Sequence, residues 1–537
     1  MSAAGMHAPR CFAFGRGDVP IAFIGGGLIL DSGEAENTFA FRCQDRFLVY
    51  TSLLGWTSVV LVLDDDQRRQ YARLLAALDT RLRYFAEVHG VAAPRLPTPL
   101  YVRCDLQTLA LAPAESFADA ADALVKRRER VFFVTNQVSP TTSRLLGELA
   151  GLLRARGVQV EFDAPACERV AGLALDWHNK ARFMAFQRDA SISGGPPQPP
   201  GMILAPDAFL GMQGWRELAD RFARHGSLAT SPTELFLKSS QDSSGNVSAI
   251  LSEASYPEHA SVFAAEVRRW LLADGFDDQR YVDELHDECA LPPSWAHVRL
   301  DDATLATLRR EQAGKRGNLP LIVQPVVRAP AGRPDLPASL GVSLFVDDGG
   351  RVHPVAVAAQ LYRDAQRRQF LGLCVDDRVL QAPGVPTLAA QCDAMARQLA
   401  GHGYRGPVNF DACLGPDGRY WFVGDCNPRL TALYVPLAVR AWLRAQDVQV
   451  DSIIGIGYRG EFVMRDVSRC IDAWSRAGLL FSRQRRRGIV MLPNLARRDG
   501  HDALAINLDA AQLAGAIAQM RQLAPQAVPA HLQSIHG

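Results

Sequence analysis

Lysine is nearly missing from this chain. Of its 58 basic residues only four are lysines: Lys126, Lys180, Lys238 and Lys315. Arginine fills the other basic positions, as expected of a GC-rich genome. A lysine that persists then marks chemistry that a planar guanidinium does not suit, such as a compact point charge against a phosphate. Net charge is scarce as well: 58 basic and 57 acidic residues leave +1, which gives no field for nucleic acid or an anionic membrane. No apolar run approaches the roughly 20 residues that span a bilayer. The opening stretch MSAAGMHAPRCFAFGRGD lacks the long apolar region of a signal peptide. Ten cysteines include no C-x-x-C pair, so neither a zinc site nor a disulfide framework is indicated. Reduced thiols in a cytoplasmic enzyme are the expectation.

What is present is an ordinary globular composition, 48% hydrophobic and 21% charged over 537 residues, enough for about three or four domains. Up to about Ala166, strands alternate with amphipathic helices. Residues 21–24, 58–63, 130–135 and 158–162 read as buried strands, with a helical pattern over 142–156. That order argues for a mostly parallel α/β sheet. Gly25-Gly26-Gly27 follows the first strand but is not G-x-G-x-x-G, and a tight turn explains it as well as a nucleotide does. The expectation is a Rossmann-like domain without a cofactor. The proline-rich loop 193–201 (SGGPPQPPG) is stiff and extended. The chain closes with a strand at 488–492 and a helix from about Asp509 to Leu523, for which Asp509 is an N-cap candidate.

The sharpest motif is GPVNFDACLGPDGRYWFVGDCNPR, residues 406–429. Two apolar strands flank a Gly-Pro-Asp-Gly turn. A loop over Pro416, Asp417 and Gly418 sets Asp411 opposite Val423, on the face that carries Asp425. The two carboxylates are then diagonal neighbours roughly 7–8 Å apart; a loop shorter by one residue would put them on opposite faces. Asn427 adds a neutral oxygen and Arg429 a fixed positive charge. Such hard donors suit Mg²⁺, which takes its other ligands from water and phosphates. The bland alternative is a surface hairpin with solvated aspartates. A second motif, LFLKSSQDSSGN over 235–246, ends a strand at Lys238 and runs into a serine-rich loop whose N–H groups can cradle phosphate. Standing alone such a segment is usually just a hairpin; its weight comes from the scarcity of lysine and from its position. A third, LIVQPVV over 321–327, is an apolar strand with Gln324 just before a proline; it can hold an adenine or be an edge strand closed by Pro325. Lys180 opens a helix over 179–186.

In this order the pieces resemble an ATP-grasp enzyme, over roughly residues 175–445. The resemblance implies ATP bound by Lys180, Lys238, Ser243, Ser244, Gly245, Gln324, Val326, Val327 and Asn427. It implies one or two Mg²⁺ ions (Mn²⁺ being an alternative) on Asp411, Asp425 and Asn427, and Arg429 and Lys238 as catalytic groups. The implied architecture is α/β: a Rossmann-like pre-ATP-grasp domain over 1–174 and an ATP-grasp fold over 175–445. The latter clasps ATP between two α+β subdomains, the lid spanning about 235–325. An α/β extension follows over 446–537. Residues 427–436 and the tail from Arg487 are similar to the pheganomycin-type peptide ligases. Three features depart from the family: Asp425 stands where Glu is usual, the phosphate loop is rich in serine rather than glycine, and the span from Lys238 to Gln324 is long.

The activity implied is ligation of a small-molecule carboxylate to an amine, each an amino acid or short peptide, through an acyl phosphate with release of ADP and phosphate. Natural-product biosynthesis is the implied setting. Arg363 and Arg368, with Arg367 between them, precede a strand-turn segment that faces the ligand in this family and are candidates for the substrate carboxylate. The run Arg483–Arg487 meets either an acidic substrate or solvent. Nucleic acid and membrane are not expected partners, and a homodimer is the candidate assembly only because it is the commonest one for soluble oligomers. Rival readings are an ATP-grasp kinase and a nucleotide-binding scaffold without turnover. An NAD-dependent oxidoreductase fails for want of a fingerprint.

Overall fold

The computed structural model describes residues 164–189, 194–226, 231–240, 248–271, 320–330, 336–362, 370–456, 462–493, 500–529 and 532, and before these the elements named between 21 and 162 with residues 49, 53–54, 90–94, 96 and 156–158. Strands β1 (Ile21–Gly25), β2 (Ser58–Val62), β3 (Leu100–Asp105), β4 (Ala110–Pro113), β5 (Arg130–Thr135) and β6 (Gln159–Phe162) form one sheet. Its order is β4-β3-β2-β1-β5-β6, parallel throughout except for the β3–β4 hairpin. Helices α1 (Asp65–His89), α2 (Glu115–Lys126) and α3 (Pro140–Ala155) make the crossovers. The chain winds outward from β1 in both directions, which is the Rossmann-like order expected. Gly25 ends β1; Gly26 and Gly27 lie outside the described residues.

Two helices then meet end to end, α4 (Glu168–His178) and α5 (Lys180–Asp189). Asn179 breaks them with extended backbone, and its Oδ1 accepts from the N–H groups of Ala181 and Arg182 at 3.1 Å each. This is an N-cap that satisfies two orphan donors, and it fixes where α5 starts. The Lys180 N–H donates to Ser240 O at 2.7 Å, tying that start to the next sheet.

The second sheet is antiparallel, order β7-β10-β8-β9, from β7 (Met202–Leu204), β8 (Glu234–Ser239), β9 (Ser248–Ser252) and β10 (Leu321–Pro325). Strand alternation sorts its two faces. Leu235, Leu237, Leu321 and Val323 turn into a core with residues of α6 (Pro206–Leu210), α7 (Trp215–Gly226) and α8 (Tyr256–Leu271). Phe236, Lys238, Ile322 and Gln324 occupy the alternate positions on the other face, where Ile322 packs on Ala181 and Met184 of α5.

The third sheet is the largest and antiparallel throughout, order β15-β14-β11-β12-β13-β16-β19-β17, with β18 also on β19. Its strands are β11 (Ser339–Val346), β12 (Val352–Tyr362), β13 (Phe370–Asp376), β14 (Gly406–Leu414), β15 (Tyr420–Asn427), β16 (Ser452–Ile456), β17 (Phe462–Val463), β18 (Gly488–Pro493) and β19 (Gly500–Ile506). Helices α9 (Val385–Gly401), α10 (Tyr434–Arg444), α11 (Val467–Arg476) and α12 (Ala510–Leu523) cover it. Leu388, Cys392, Met395 and Leu399 recur along one stripe of α9 and share a core with Val342, Leu344, Phe410, Ala412 and Phe422. The strands after 446 continue this sheet, because β16 pairs with β13. Asp509 caps α12 as expected, in a full capping box with Gln512.

The Rossmann-like part is anchored to this sheet by α1. Leu78, Leu82 and Ala86 join Leu373, Val375 and Val490 in one core. His89, fully buried, donates from Nδ1 to Phe481 O and accepts at Nε2 from the Met491 N–H, both at 3.1 Å. The arginine run serves the same junction. Arg485 donates to Gly478 O and Leu480 O at 2.6 and 2.7 Å, and Arg483 to Gln446 O at 2.9 Å, so these two side chains close carbonyls.

Candidate active site

The site is a polar face of the largest sheet looking at the lysine face of the smaller one. On β14 the residues alternate: Val408, Phe410, Ala412 and Leu414 enter the core, and Asn409, Asp411 and Cys413 take the opposite face. The same alternation along β15 puts Val423, Asp425 and Asn427 on that face, with Phe422 and Cys426 inside. The ladder first follows the expected register, with Leu414 opposite Tyr420, Cys413 opposite Trp421 and Ala412 opposite Phe422. It then slips at a bulge, so that Phe410 faces Cys426 and Asn409 faces Asn427. Gly424, within the bulge, has φ +85, a conformation that is cheap only for glycine. Asp411 and Asp425 thus share one face, as the hairpin reading requires.

Lys180 and Lys238 reach this face from different elements. The Lys238 Nζ donates to both oxygens of Asp425 at 3.1 Å each and to Val423 O at 2.8 Å. Lys180 Nζ lies 3.6 Å from the same carboxylate. Both lysines are over nine-tenths buried. Burial raises the Asp425 pKa, but Lys238 and Lys180 outweigh it and hold the carboxyl below its ordinary range. Burial likewise pulls the Lys238 ammonium down, against the attraction of Asp425.

Asp411 is placed differently. Its Oδ1 accepts from Gln360 Nε2 and Asn409 Nδ2 at 2.8 Å each, and its Oδ2 from Asn427 Nδ2 at 3.1 Å. These donors are neutral. Burial and the neighbouring charge of Asp425 push its pKa up to about 7; Lys238 and Lys180 act against that rise but bond to Asp425 rather than to it. Two carboxylates, one of them bonded only by neutral donors, and an asparagine are a donor set that fits a hard divalent ion. Among the described residues no group of three or more His, Cys, Asp or Glu side chains could hold a metal, so such an ion would take its remaining ligands from phosphates and water.

Beyond the hairpin, Arg429 donates from Nε to His178 Nε2 at 3.4 Å and from Nη1 to Leu430 O at 3.3 Å, while its Nη2 lies 3.5 Å from Asn427 Oδ1. His178 is kept neutral by burial and by the charges of Arg429 and Lys180, which push its pKa well below the usual value. Gln324 is buried on the lysine face of β10, where its Nε2 lies 3.7 Å from the point a Cβ at Gly424 would occupy. Val326 and Val327 follow the end of β10 and are half-buried. Ser243, Ser244 and Gly245, and likewise Arg363, Arg367 and Arg368, lie outside the described residues.

Sequence reasoning missed His178, Gln360, Asn409, Ser339 and Ser343. Asn409 carried a signal, two positions before Asp411 on a strand. Gln360 and Tyr362 were readable as the polar alternates closing the apolar strand β12. His178 gave none, since only the fold brings it to Arg429.

No family model matches this chain, and no curated protein does. Among solved structures it is similar to N5-carboxyaminoimidazole ribonucleotide synthetase in complex with ADP, at 11% identity and a TM-score of 0.42, over 94% of this chain and 97% of that one. Biotin carboxylase from Campylobacter jejuni gives 11% and 0.43, over 95% and 91%. The biotin carboxylase domain of Hydrogenobacter thermophilus 2-oxoglutarate carboxylase, a dimer with MgADP and bicarbonate, gives 12% and 0.39, over 95% and 90%. At these identities and scores no side chain of the site is assigned from the neighbours.

Proposed function

We propose that this chain is an ATP-grasp ligase that joins a carboxylate to an amine through an acyl phosphate, releasing ADP and phosphate. One observation carries the reading: two of only four lysines converge on Asp425 from separate elements, beside a second buried carboxylate whose bonded donors are neutral amides. A purely structural ion pair needs one lysine and one carboxylate, whereas a triphosphate with Mg²⁺ uses two of each. Lys180 and Lys238 take the phosphates, and Gln324 with Val326 and Val327 takes the adenine. Ser243, Ser244 and Gly245 cover the phosphates. Asp411, Asp425 and Asn427 would hold one or two Mg²⁺ or Mn²⁺ ions, which neutralise phosphate charge.

The protein's part is mostly positioning. A carboxylate oxygen attacks the γ-phosphorus and the bond to the β-phosphate oxygen breaks, leaving ADP. An amine nitrogen then attacks the acyl carbon, phosphate leaves with the bonding pair, and the nitrogen loses a proton. Arg429 is the cation nearest the end of the hairpin, suited to the charge that develops on the carbonyl oxygen. Neutral His178 takes its Nε, and Leu430 O and Asn427 Oδ1 accept from its Nη groups at the long distances of 3.3 and 3.5 Å. Arg363 and Arg368 are the candidate contacts for the substrate carboxylate. Amino acids or short peptides are the proposed substrates, as in the pheganomycin-type peptide ligases of natural-product biosynthesis. A cytoplasmic homodimer is the proposed form. Among the described residues no helix is long and apolar enough to cross a membrane.

Calorimetric titration with MgATP tests the carrying observation. Wild-type protein is expected to bind, and Lys238→Met to lose at least tenfold in affinity, consistent with a charge-assisted contact worth about 1.5–3 kcal/mol. Equal affinity in both proteins would remove the lysine pair from the nucleotide site.

A further inference from the structure

Asp411 is held by amides whose own orientation is fixed. An amide side chain offers a donor end and an acceptor end, and turning it over exchanges them. At Gln360 the acceptor end is occupied: Oε1 receives the Ser339 hydroxyl at 2.6 Å and the Tyr362 hydroxyl at 2.7 Å. Its NH₂ is thereby left for Asp411 Oδ1 at 2.8 Å. Asn409 repeats the device, because Ser343 Oγ donates to its Oδ1 at 2.7 Å while its NH₂ also meets Asp411 Oδ1. The opposite turn of either amide would set an oxygen against the carboxylate.

Register makes the collar possible. On β11, Gly341 lies opposite Asp411 and Ser343 opposite Asn409, and β12 brings Gln360 beside Ser339. A Cβ at Gly341 would stand 3.2 Å from Asn409 Oδ1 and 3.4 Å from Asp411 Oδ1, so glycine gives the collar its room. Ser339, Ser343 and Asn409 are all over nine-tenths buried, which makes unmet donors and acceptors costly and the arrangement stiff. The two amides on Oδ1 leave Oδ2 as the oxygen turned toward Asn427.

We propose that Gln360 is a positioning residue for the divalent ion that accompanies ATP: locked by the hydroxyls of Ser339 and Tyr362, it aims the Asp411 carboxylate. This rests on the MgATP reading above. Partners that orient a metal's ligands carry much of its affinity, typically 10–100-fold on mutation. Gln360 should therefore act on the metal dependence of nucleotide binding while leaving metal-free binding alone. A purely structural residue would lower both together.

The test titrates Mg²⁺ at fixed concentrations of a non-hydrolysable ATP analogue, with binding read by calorimetry, for wild type, Gln360→Leu and Tyr362→Phe. Gln360→Leu is expected to need about tenfold or more Mg²⁺ for half-maximal effect, with analogue binding in EDTA unchanged. Tyr362→Phe keeps the ring and removes one of the two locks, so it should shift the same way by less. Gln360→His, which offers an N–H of similar reach, should recover part of the loss. An unchanged Mg²⁺ requirement in folded Gln360→Leu would overturn the proposal, and so would equal losses with and without the ion. If Gln360→Leu does not fold, Tyr362→Phe decides, and a wild-type Mg²⁺ requirement there overturns it. Failure of the wild type to bind the analogue at any Mg²⁺ concentration would instead overturn the nucleotide reading, and this proposal with it.

Discussion

Acidification should loosen the junction between α1 and the largest sheet, because His89 is built to stay neutral. Burial lowers its pKa from 6.5 to about 4, opposed by its bond to the Phe481 carbonyl. Its tautomer is fixed, since Nε2 must accept from the Met491 N–H; a proton there would face another proton. The native state therefore excludes the proton that the unfolded chain takes up below pH 6.5. Stability falls as pH drops from 6.5 toward 4, and the loss is complete below that. With folded and unfolded values of about 4 and 6.5, the loss attributable to His89 between pH 7 and pH 5 is about 2 kcal/mol. The comparison is His89→Phe, which keeps an aromatic ring beside Phe85 and cannot titrate. Removing the imidazole strands the Met491 N–H and the Phe481 carbonyl, so the variant should be less stable near neutrality by roughly 1–3 kcal/mol for each group left unpaired. Urea unfolding of both proteins at pH 7 and pH 5 should show that gap narrowing by about 2 kcal/mol at the lower pH. Parallel pH dependence in the two proteins would refute the reasoning.

Three further outcomes follow from the site and its frame. Gly341→Val should crowd Asn409 and Asp411 and weaken Mg²⁺-dependent nucleotide binding by tenfold or more; unchanged affinity would mean the sheet relaxes freely at that point. Arg429→Gln should lower the rate of amide product formation by about 10²–10³ with little change in the KM for ATP, whereas a rise in KM alone would move Arg429 from the reacting carbonyl to the nucleotide. Asp509→Ala removes the capping box of α12 and should cost about 1 kcal/mol in urea unfolding while leaving activity intact; an activity loss would tie α12 to the site.

How much of this was legible beforehand divides along physical lines. Local chemistry was readable: four of the six strands of the first sheet stand where β-branched and aromatic runs put them, and the Asp509 cap follows from side-chain reach alone. The 406–429 hairpin was readable through its turn, since loop length sets register. The bulge that shifts Asn409 onto Asn427 was not, because nothing in Val423-Gly424-Asp425 by itself distinguishes a flexible strand from a slipped one. Long-range placement was least legible. That β16 would pair with β13, or that Gln360 would reach Asp411, depends on which strands become neighbours. His178 lies at a helix end and meets Arg429 only through the tertiary fold. The arginine run left two readings open, an acidic substrate or solvent, and the side chains of Arg483 and Arg485 instead close the carbonyls of Gln446, Gly478 and Leu480.

The central claim is tested most directly by turnover. Purified protein would be incubated with MgATP and pools of amino acids and dipeptides, with ADP, AMP, phosphate and product mass followed together. The account predicts ADP and phosphate in equal amounts, with a product lighter by one water than the sum of its two substrates. AMP with pyrophosphate, or a stable phosphorylated product without phosphate release, would contradict it.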